Sequence, residues 1–171
     1  MALVHLGIGS NLQKHKHIRA GVQALLHHSG LQAQNVRLSR VFRSAAVGFA
    51  GRDFFNLVMS FHTHVAAGQV NDICKEIEHE FGHSGQVAKF SPRTLDIDVL
   101  LYDQQVSAAP VQLPRAEILE NAFVLWPLAE LSPLLVHPVM NQTYARLWQN
   151  YRLEQRLEPV DFNWSLTPTS E

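Results

Sequence analysis

The order of strand-like and helix-like segments constrains the fold of this chain more than any other feature of its sequence. Four segments have the apolar pattern of β-strands: residues 2–8, 35–43, 54–65 and 95–102. Two segments between them carry apolar residues at helical spacing instead: residues 13–28 and 67–81. The predicted order is therefore β-α-β-β-α-β.

This order is typical of the ferredoxin-like α+β fold, an antiparallel sheet with helices on one face. Beyond Pro114, the segments 122–131 and 144–153 add helical material. The 171 residues suit a single domain, 1–171, with a frayed tail from about residue 160. Many functions use this fold, so the function has to be inferred from individual side chains.

The charge balance excludes some classes of protein. Lys and Arg total 14 and Asp and Glu total 15, which gives a net charge of −1. A general nucleic-acid or membrane-surface binder would have a basic excess. No apolar run approaches the ~18 residues of a membrane helix. Cys74 is the single cysteine and cannot form an internal disulfide. These features predict a soluble, cytoplasmic protein.

Two aspartates open the otherwise apolar strand at residues 95–102. Asp96 and Asp98 are two apart, so both carboxylates point to the same face, with their Cα atoms ~6.6 Å apart. That spacing can bracket two divalent ions, and Mg²⁺ favours a few carboxylates together with phosphate oxygens. Arg93 just upstream could bind a phosphate. The alternative is that the aspartates only protect a strand edge from aggregation. The pair by itself leaves both interpretations open.

Three segments together resemble one enzyme family: GIGSNL near the start, PRTLDIDVLLY at 92–102 and FVLWPLAEL at 123–131. They are similar to the 6-hydroxymethyl-7,8-dihydropterin pyrophosphokinases of folate biosynthesis, over about residues 3–138. The resemblance implies the ferredoxin-like fold already predicted. It also implies transfer of a pyrophosphoryl group from ATP to the pterin, with two Mg²⁺ ions held by Asp96 and Asp98.

The resemblance further implies which residues bind the substrates. The residues that match pterin-binding positions are Ser44, Ala45, Val47, Phe54, Asn56, Phe90 and Phe123. Those that match ATP-binding positions are Glu78, Lys89, Arg93 and Arg115. The implied catalytic residues are His83, Arg93, Asp96 and Asp98. The expected partners are ATP and a reduced pterin, with no nucleic acid or membrane, and the protein is expected to be a monomer.

The phosphate-binding side departs from the family pattern. His83 stands where the family has a central arginine, and a histidine cannot offer the bidentate guanidinium fork. An alternative hypothesis is therefore a pterin-binding relative with weak or no kinase activity. A third hypothesis is an RNA-binding module of the same fold. It would require a basic sheet face with an aromatic RNA-binding motif, which this sequence lacks.

Overall fold

Eleven helices and strands make up the part of the chain that the computed structural model describes, residues 1–45, 53–82 and 94–165. In chain order they are β1 Ala2–Ser10, α1 Lys14–His27, β2 Gln34–Leu38, β3 Val41–Ser44, β4 Phe54–Thr63, α2 Ala67–Glu80, β5 Asp96–Tyr102, α3 Glu117–Glu120, α4 Ala122–Leu131, α5 Tyr144–Gln149 and β6 Leu157–Val160. All six elements of the predicted β-α-β-β-α-β order are present.

The strands form one antiparallel sheet in the order β5-β1-β4-β3-β6, and β2 also pairs with β4. Strand β1 pairs with β4 along its whole length, from Ala2 opposite Thr63 to Ser10 opposite Phe55. The predicted α+β fold with an antiparallel sheet is confirmed. Because β5 is an edge strand, the two aspartates at its start lie at one side of the sheet.

The segment 35–43 is two strands and not the single strand that its sequence predicts. Strands β2 and β3 pair with successive parts of β4, and Ser39 lies between them. The Ser39 backbone N–H donates to the Val58 carbonyl, and the Val58 N–H donates to the Ser39 side-chain hydroxyl, each at 2.9 Å. A side-chain acceptor thus replaces a carbonyl in the ladder, which breaks the strand at this point.

Strand β6 was not predicted. Residues 157–160 pair with β3, from Val160 opposite Val41 to Leu157 opposite Ser44. Their sequence, LEPV, shows no alternation long enough to indicate a strand, although its proline is compatible with an edge position. The pairing is therefore imposed by the neighbouring strand and not by local sequence.

Residues 160–165, part of the segment for which the sequence predicts a frayed tail, contact helix α1. The Phe162 ring stacks on His15 with centroids 5.9 Å apart, and the Arg19 guanidinium donates to the Asn163 carbonyl at 3.0 Å. Both partners belong to α1, so the segment is held against this helix by aromatic and polar contacts.

The helices cover both faces of the sheet. Helices α1 and α2 pack over one face, where the buried side chains include Leu6, Leu57 and Ile97. Helices α4 and α5 pack over the other, against Val58 and Leu100. The expectation of helices on one face holds for the first two helices alone, since the C-terminal helices form a third layer. Within the described ranges, no helix has the length and apolar character needed to cross a membrane.

One buried histidine should make stability depend on pH. His5 lies on β1 with 0% of its surface exposed, and its Nε2 is 2.9 Å from the Ser132 hydroxyl. Burial, and then the charges of Arg37 and His62, lower the pKa of His5 from 6.5 to about 4. The native state therefore keeps His5 neutral, while the unfolded chain takes up a proton below pH 6.5.

Acidification from pH 7 to pH 4 should accordingly lower the free energy of unfolding by about 3 kcal/mol through this group. Urea unfolding as a function of pH should show that His5→Gln loses this part of the slope. The matched control is His64→Gln, which removes an exposed histidine just after β4. Equal slopes in His5→Gln and the parent would show that His5 does not titrate in this way.

Candidate active site

Two rows of residues cross the sheet on the face that carries the acidic pair. Gly9 on β1 pairs with Asn56 on β4 and with Asp96 on β5, and Gly7 pairs with Asp98. Directly paired residues of an antiparallel ladder point to the same face. The two carboxylates therefore share one face, as their spacing predicts, and the strand register shows that it is also the face of Asn56. Asn56 and Asp96 are two strand spacings apart, about 10 Å.

Gly9 is a residue of this site that the predicted site residues did not include. A Cβ atom at position 9 would come within 2.8 Å of the Asn56 side-chain Oδ1, closer than real contacts allow. Glycine therefore leaves the space between Asn56 and Asp96 free of a side chain. Its place inside an apolar strand was the available signal, because an interior glycine often marks a close approach of another group.

Asn56 is held in a defined orientation. It is 8% exposed, and its Nδ2 donates to the Ser44 hydroxyl at 2.8 Å. Its Oδ1 then lies on the side of Gly9. Phe54 pairs with Ser44 and lies two residues before Asn56, so it shares the same face. The structure thus brings together three of the residues that match pterin-binding positions.

A small cavity adjoins these residues. It encloses about 180 Å³ and is lined by Ser44, Ala45, Ala122, Phe123, Glu154, Gln155, Arg156 and Leu157. Phe123 lies in the first turn of α4, while Ala45 directly follows β3. Three residues with expected pterin contacts, Ser44, Ala45 and Phe123, therefore line one cavity together with a C-terminal segment that was not predicted to take part.

Two cationic side chains converge on Asp98. The Lys75 ammonium is 3.2 Å from Asp98 Oδ1 and 3.0 Å from Glu78 Oε1. The Arg115 Nη2 is 3.5 Å from the same Asp98 oxygen, and its Nε is 3.0 Å from Glu117 Oε2. Arg115 was expected near the phosphates, but Lys75 was not among the predicted site residues. Its only signal was the three-residue spacing from Glu78 on a helix.

Glu78 joins α2 to the outer edge of β5. It is 2% exposed, and its Oε1 accepts a hydrogen bond from the Ile97 N–H at 2.6 Å, while Lys75 donates to the Ile97 carbonyl at 3.0 Å. These bonds satisfy the backbone of Ile97 at the sheet edge. Glu78 therefore holds β5 in place at Ile97, the residue between Asp96 and Asp98. Its contact with ATP stays a prediction.

The protonation of Lys75 and Glu78 follows from the same contacts. Burial alone would lower the pKa of Lys75, but the carboxylates of Asp98 and Glu78 outweigh it and raise the pKa. Lys75 therefore stays protonated and positively charged beside Asp98. Burial raises the pKa of Glu78, opposed by Lys75 and by the Ile97 N–H.

The described part of the site has an acidic excess that suits divalent ions. Its formal charge is −2. The four carboxylates are those of Asp96, Asp98, Glu78 and Glu117, and the two cations are Lys75 and Arg115. In residues 1–45, 53–82 and 94–165, no three His, Cys, Asp or Glu side chains are grouped to hold a metal. An ion at Asp96 and Asp98 would complete its shell with water or phosphate oxygens, as Mg²⁺ does. The Asp98 side chain is 33% exposed and thus reachable.

Five of the predicted site residues lie outside the described part of the chain: Val47, His83, Lys89, Phe90 and Arg93. Their roles stay predictions from the sequence.

Comparison with known proteins places the chain among enzymes of one kind. The family model for 7,8-dihydro-6-hydroxymethylpterin-pyrophosphokinase matches residues 5–133. A 2-amino-4-hydroxy-6-hydroxymethyldihydropteridine pyrophosphokinase of Aquifex aeolicus is 28% identical over 162 residues, covering 93% of this chain and 96% of the relative. The enzyme of the same name from Methylorubrum extorquens is 34% identical over 139 residues, covering 80% and 86%.

A solved structure shares the fold. Plasmodium falciparum HPPK-DHPS with pteroate superposes with a TM-score of 0.64 at 12% identity, over 88% of this chain and 42% of that longer one. At this identity the likeness shows the fold alone, which agrees with the predicted ferredoxin-like class. The family model covers most of the chain, and it includes both aspartates, Asn56 and Arg115. The chain belongs to the 7,8-dihydro-6-hydroxymethylpterin-pyrophosphokinase family.

Proposed function

We propose that this protein transfers the pyrophosphoryl group of ATP to the hydroxymethyl oxygen of 6-hydroxymethyl-7,8-dihydropterin, a step of folate biosynthesis. The observation that carries the proposal is the row formed by Asn56, Gly9 and Asp96. This row places the Asn56 amide, which can hydrogen-bond to a heterocycle, about two strand spacings (~10 Å) from the Asp96 carboxylate, which can hold a metal. The names of the relatives describe the same activity.

The acceptor side of the site would bind the pterin. The Asn56 amide is oriented by Ser44 and supplies both a donor and an acceptor, which matches the edge of an aminopyrimidinone. Phe123 would stack on one face of the ring and Phe90 on the other. Offset aromatic stacking adds ~0.5–1.5 kcal/mol per pair. In this arrangement the hydroxymethyl group would point towards the space above Gly9.

The donor side would hold the triphosphate. Two Mg²⁺ ions bound at Asp96 and Asp98 would neutralise charge on the phosphate oxygens. The side chains of Arg115 and Lys75 place positive charges on two sides of Asp98, where the phosphates would bind. In the transfer, the hydroxymethyl oxygen forms a bond to the β-phosphorus as the bond to the α–β bridging oxygen breaks. The electron pair leaves with AMP, and the hydroxyl proton passes to water.

A coupled assay for AMP release with ATP, Mg²⁺ and the reduced pterin tests this proposal. We expect AMP release that requires all three components, with the pterin diphosphate formed in equal amount. A protein that binds the pterin but releases no AMP would instead be a non-catalytic relative. That outcome would agree with a histidine at position 83, where the family resemblance implies an arginine.

Asn56→Ala should weaken pterin binding by ~1–3 kcal/mol, because a donor or acceptor of the buried ligand would be left unpaired. Calorimetry with a non-reactive pterin measures the effect. Ser60→Ala is the matched control, since Ser60 lies on the same strand and face four residues further on. An unchanged dissociation constant in Asn56→Ala would place the pterin elsewhere.

A further inference from the structure

The first turn of α4, which carries Phe123, is held by a residue more than thirty positions later. Gln155 Oε1 accepts a hydrogen bond from the Ala122 N–H at 2.7 Å. Gln155 Nε2 donates to the Glu120 carbonyl and to the Asn121 Oδ1, each at 3.2 Å. One side chain thus makes three bonds to the three residues that precede Phe123.

These bonds take the place of an ordinary helix cap. The first N–H groups of a helix lack partners within the helix, and an N-cap side chain usually satisfies one of them. Asn121 stands at the N-cap position of α4, but its side chain makes no capping bond. Gln155 caps the Ala122 N–H from another part of the chain instead, so the start of α4 depends on where Gln155 lies.

The same C-terminal segment contacts both walls of the cavity. Tyr151 Oη donates to the Glu120 carbonyl at 2.8 Å. Leu157, two residues after Gln155, begins β6 and pairs with Ser44. The segment from Tyr151 to Leu157 therefore connects the turn before Phe123 to the strand end that carries Ser44, and Gln155 itself lines the cavity between them.

This connection lies outside the region that the family model matches, which ends at residue 133. The two walls, Ser44 and Phe123, lie within that region, whereas the residues that join them do not. The relative placement of the walls thus depends in part on a segment of the chain that the family pattern does not specify.

We propose that Gln155 is a positioning residue for Phe123 and thereby sets the affinity of the site for the pterin. The inference rests on the proposed function, since it assigns Phe123 to the pterin. Gln155 acts through the start of α4 and takes no part in the chemistry. It contacts neither Asp96 nor Asp98 through any of its three bonds, so the nucleotide and metal side should not depend on it.

The test compares Gln155→Ala with the parent and with Gln104→Ala. Gln104 is a matched control because it also donates its amide to a backbone carbonyl, that of Val136 at 3.0 Å, and is exposed. Calorimetry gives the dissociation constants for a non-reactive pterin, with Mg²⁺ and a non-hydrolysable ATP analogue present, and for the analogue alone. Thermal melting of each variant reports the effect on the fold.

We expect Gln155→Ala to raise the pterin dissociation constant about tenfold, equivalent to about 1.4 kcal/mol, with the analogue's affinity within about twofold of the parent. Gln155→Glu keeps the acceptor for the Ala122 N–H but loses both donated bonds, so its pterin affinity should be intermediate. Gln155→Glu also tests the inference if Gln155→Ala does not fold. Gln104→Ala should bind both ligands as the parent does.

Two results would overturn the inference. A Gln155→Ala variant with parental pterin affinity, or one that loses nucleotide and pterin affinity equally, would show that Gln155 has no selective role. In both cases the parent still releases AMP, so the proposed function stands. A parent that neither binds the pterin nor releases AMP would refute the proposed function, and this inference with it.

Discussion

Asp98→Ala should reduce Mg²⁺-dependent AMP release at least a thousandfold, equivalent to ~4 kcal/mol of barrier. Asp98 shares its face of the sheet with Asp96, and one of its oxygens lies within 3.5 Å of both Lys75 and Arg115. Its removal deletes a proposed metal ligand. It also leaves two cations without the carboxylate that holds them together, so the phosphates would lose both the ions and the ordered side chains.

The fold should survive this substitution. Lys75 keeps Glu78 and the Ile97 carbonyl as partners, and the Asp98 side chain is one-third exposed. Partly exposed ion pairs usually contribute no more than ~1 kcal/mol to stability. Melting curves of Asp98→Ala and the parent should therefore nearly coincide, which separates a catalytic loss from unfolding.

Titration with Mg²⁺ makes the test specific. The Mg²⁺-dependent affinity for ATP should disappear in Asp98→Ala and be strongly reduced in Asp98→Asn, which keeps the shape but removes the charge. Asp72→Asn on the exposed side of α2 is the matched control and should behave as the parent. If Asp98→Ala binds Mg²⁺-ATP as tightly as the parent, the metal assignment is wrong.

The local sequence was sufficient to predict features that depend only on the alternation of side chains along a strand. The two-residue spacing of Asp96 and Asp98 places both carboxylates on one face, because side chains of any strand alternate. Asn56 was assigned through the family resemblance, and that assignment agrees with the rule that a polar amide in an apolar strand needs partners, of which Ser44 is one. Neither inference needed knowledge of which strands are neighbours.

Features that depend on strand order or distant contacts were missed. Lys75 reaches Asp98 only because α2 packs beside the edge strand β5, which no local pattern specifies. Gln155 caps a helix that begins 33 residues earlier, at Ala122. Strand β6 exists because β3 offers a free edge, and its own four residues have no strand signal. Each of these is a consequence of tertiary packing and not of propensity.

Arg115→Ala should lower the single-turnover rate by ~10³-fold or more, as the loss of a transition-state arginine does. The position of Arg115 is well defined, since its N–H donates to the Leu100 carbonyl at 3.0 Å on β5. Its side chain lies between Asp98 and Glu117. A guanidinium held in this way can span two phosphate oxygens. We therefore propose that Arg115 substitutes for the arginine that the family resemblance implies at position 83.

Single-turnover measurements on three variants test this role. Arg115→Lys should recover part of the rate, because it restores the charge without the bidentate fork. Arg152→Ala is the matched control, since Arg152 is exposed and donates to backbone carbonyls at the end of α5. His83→Arg should raise the parental rate about tenfold, equivalent to ~1.4 kcal/mol, if lost charge at the phosphate is the only defect.

Lys75 is the competing source of positive charge, and comparing it with Arg115 decides which side of Asp98 holds the triphosphate. Both side chains contact two carboxylates, but the three N–H donors of the Lys75 ammonium already have three acceptors, Glu78 and Asp98 and the Ile97 carbonyl. The guanidinium of Arg115 has five N–H donors, so more of them are available to a phosphate. We therefore expect Lys75→Met to cost less rate than Arg115→Ala. A larger loss in Lys75→Met, with Arg115→Ala near the parent, would refute the role of Arg115 and move the phosphates to the α2 side of Asp98.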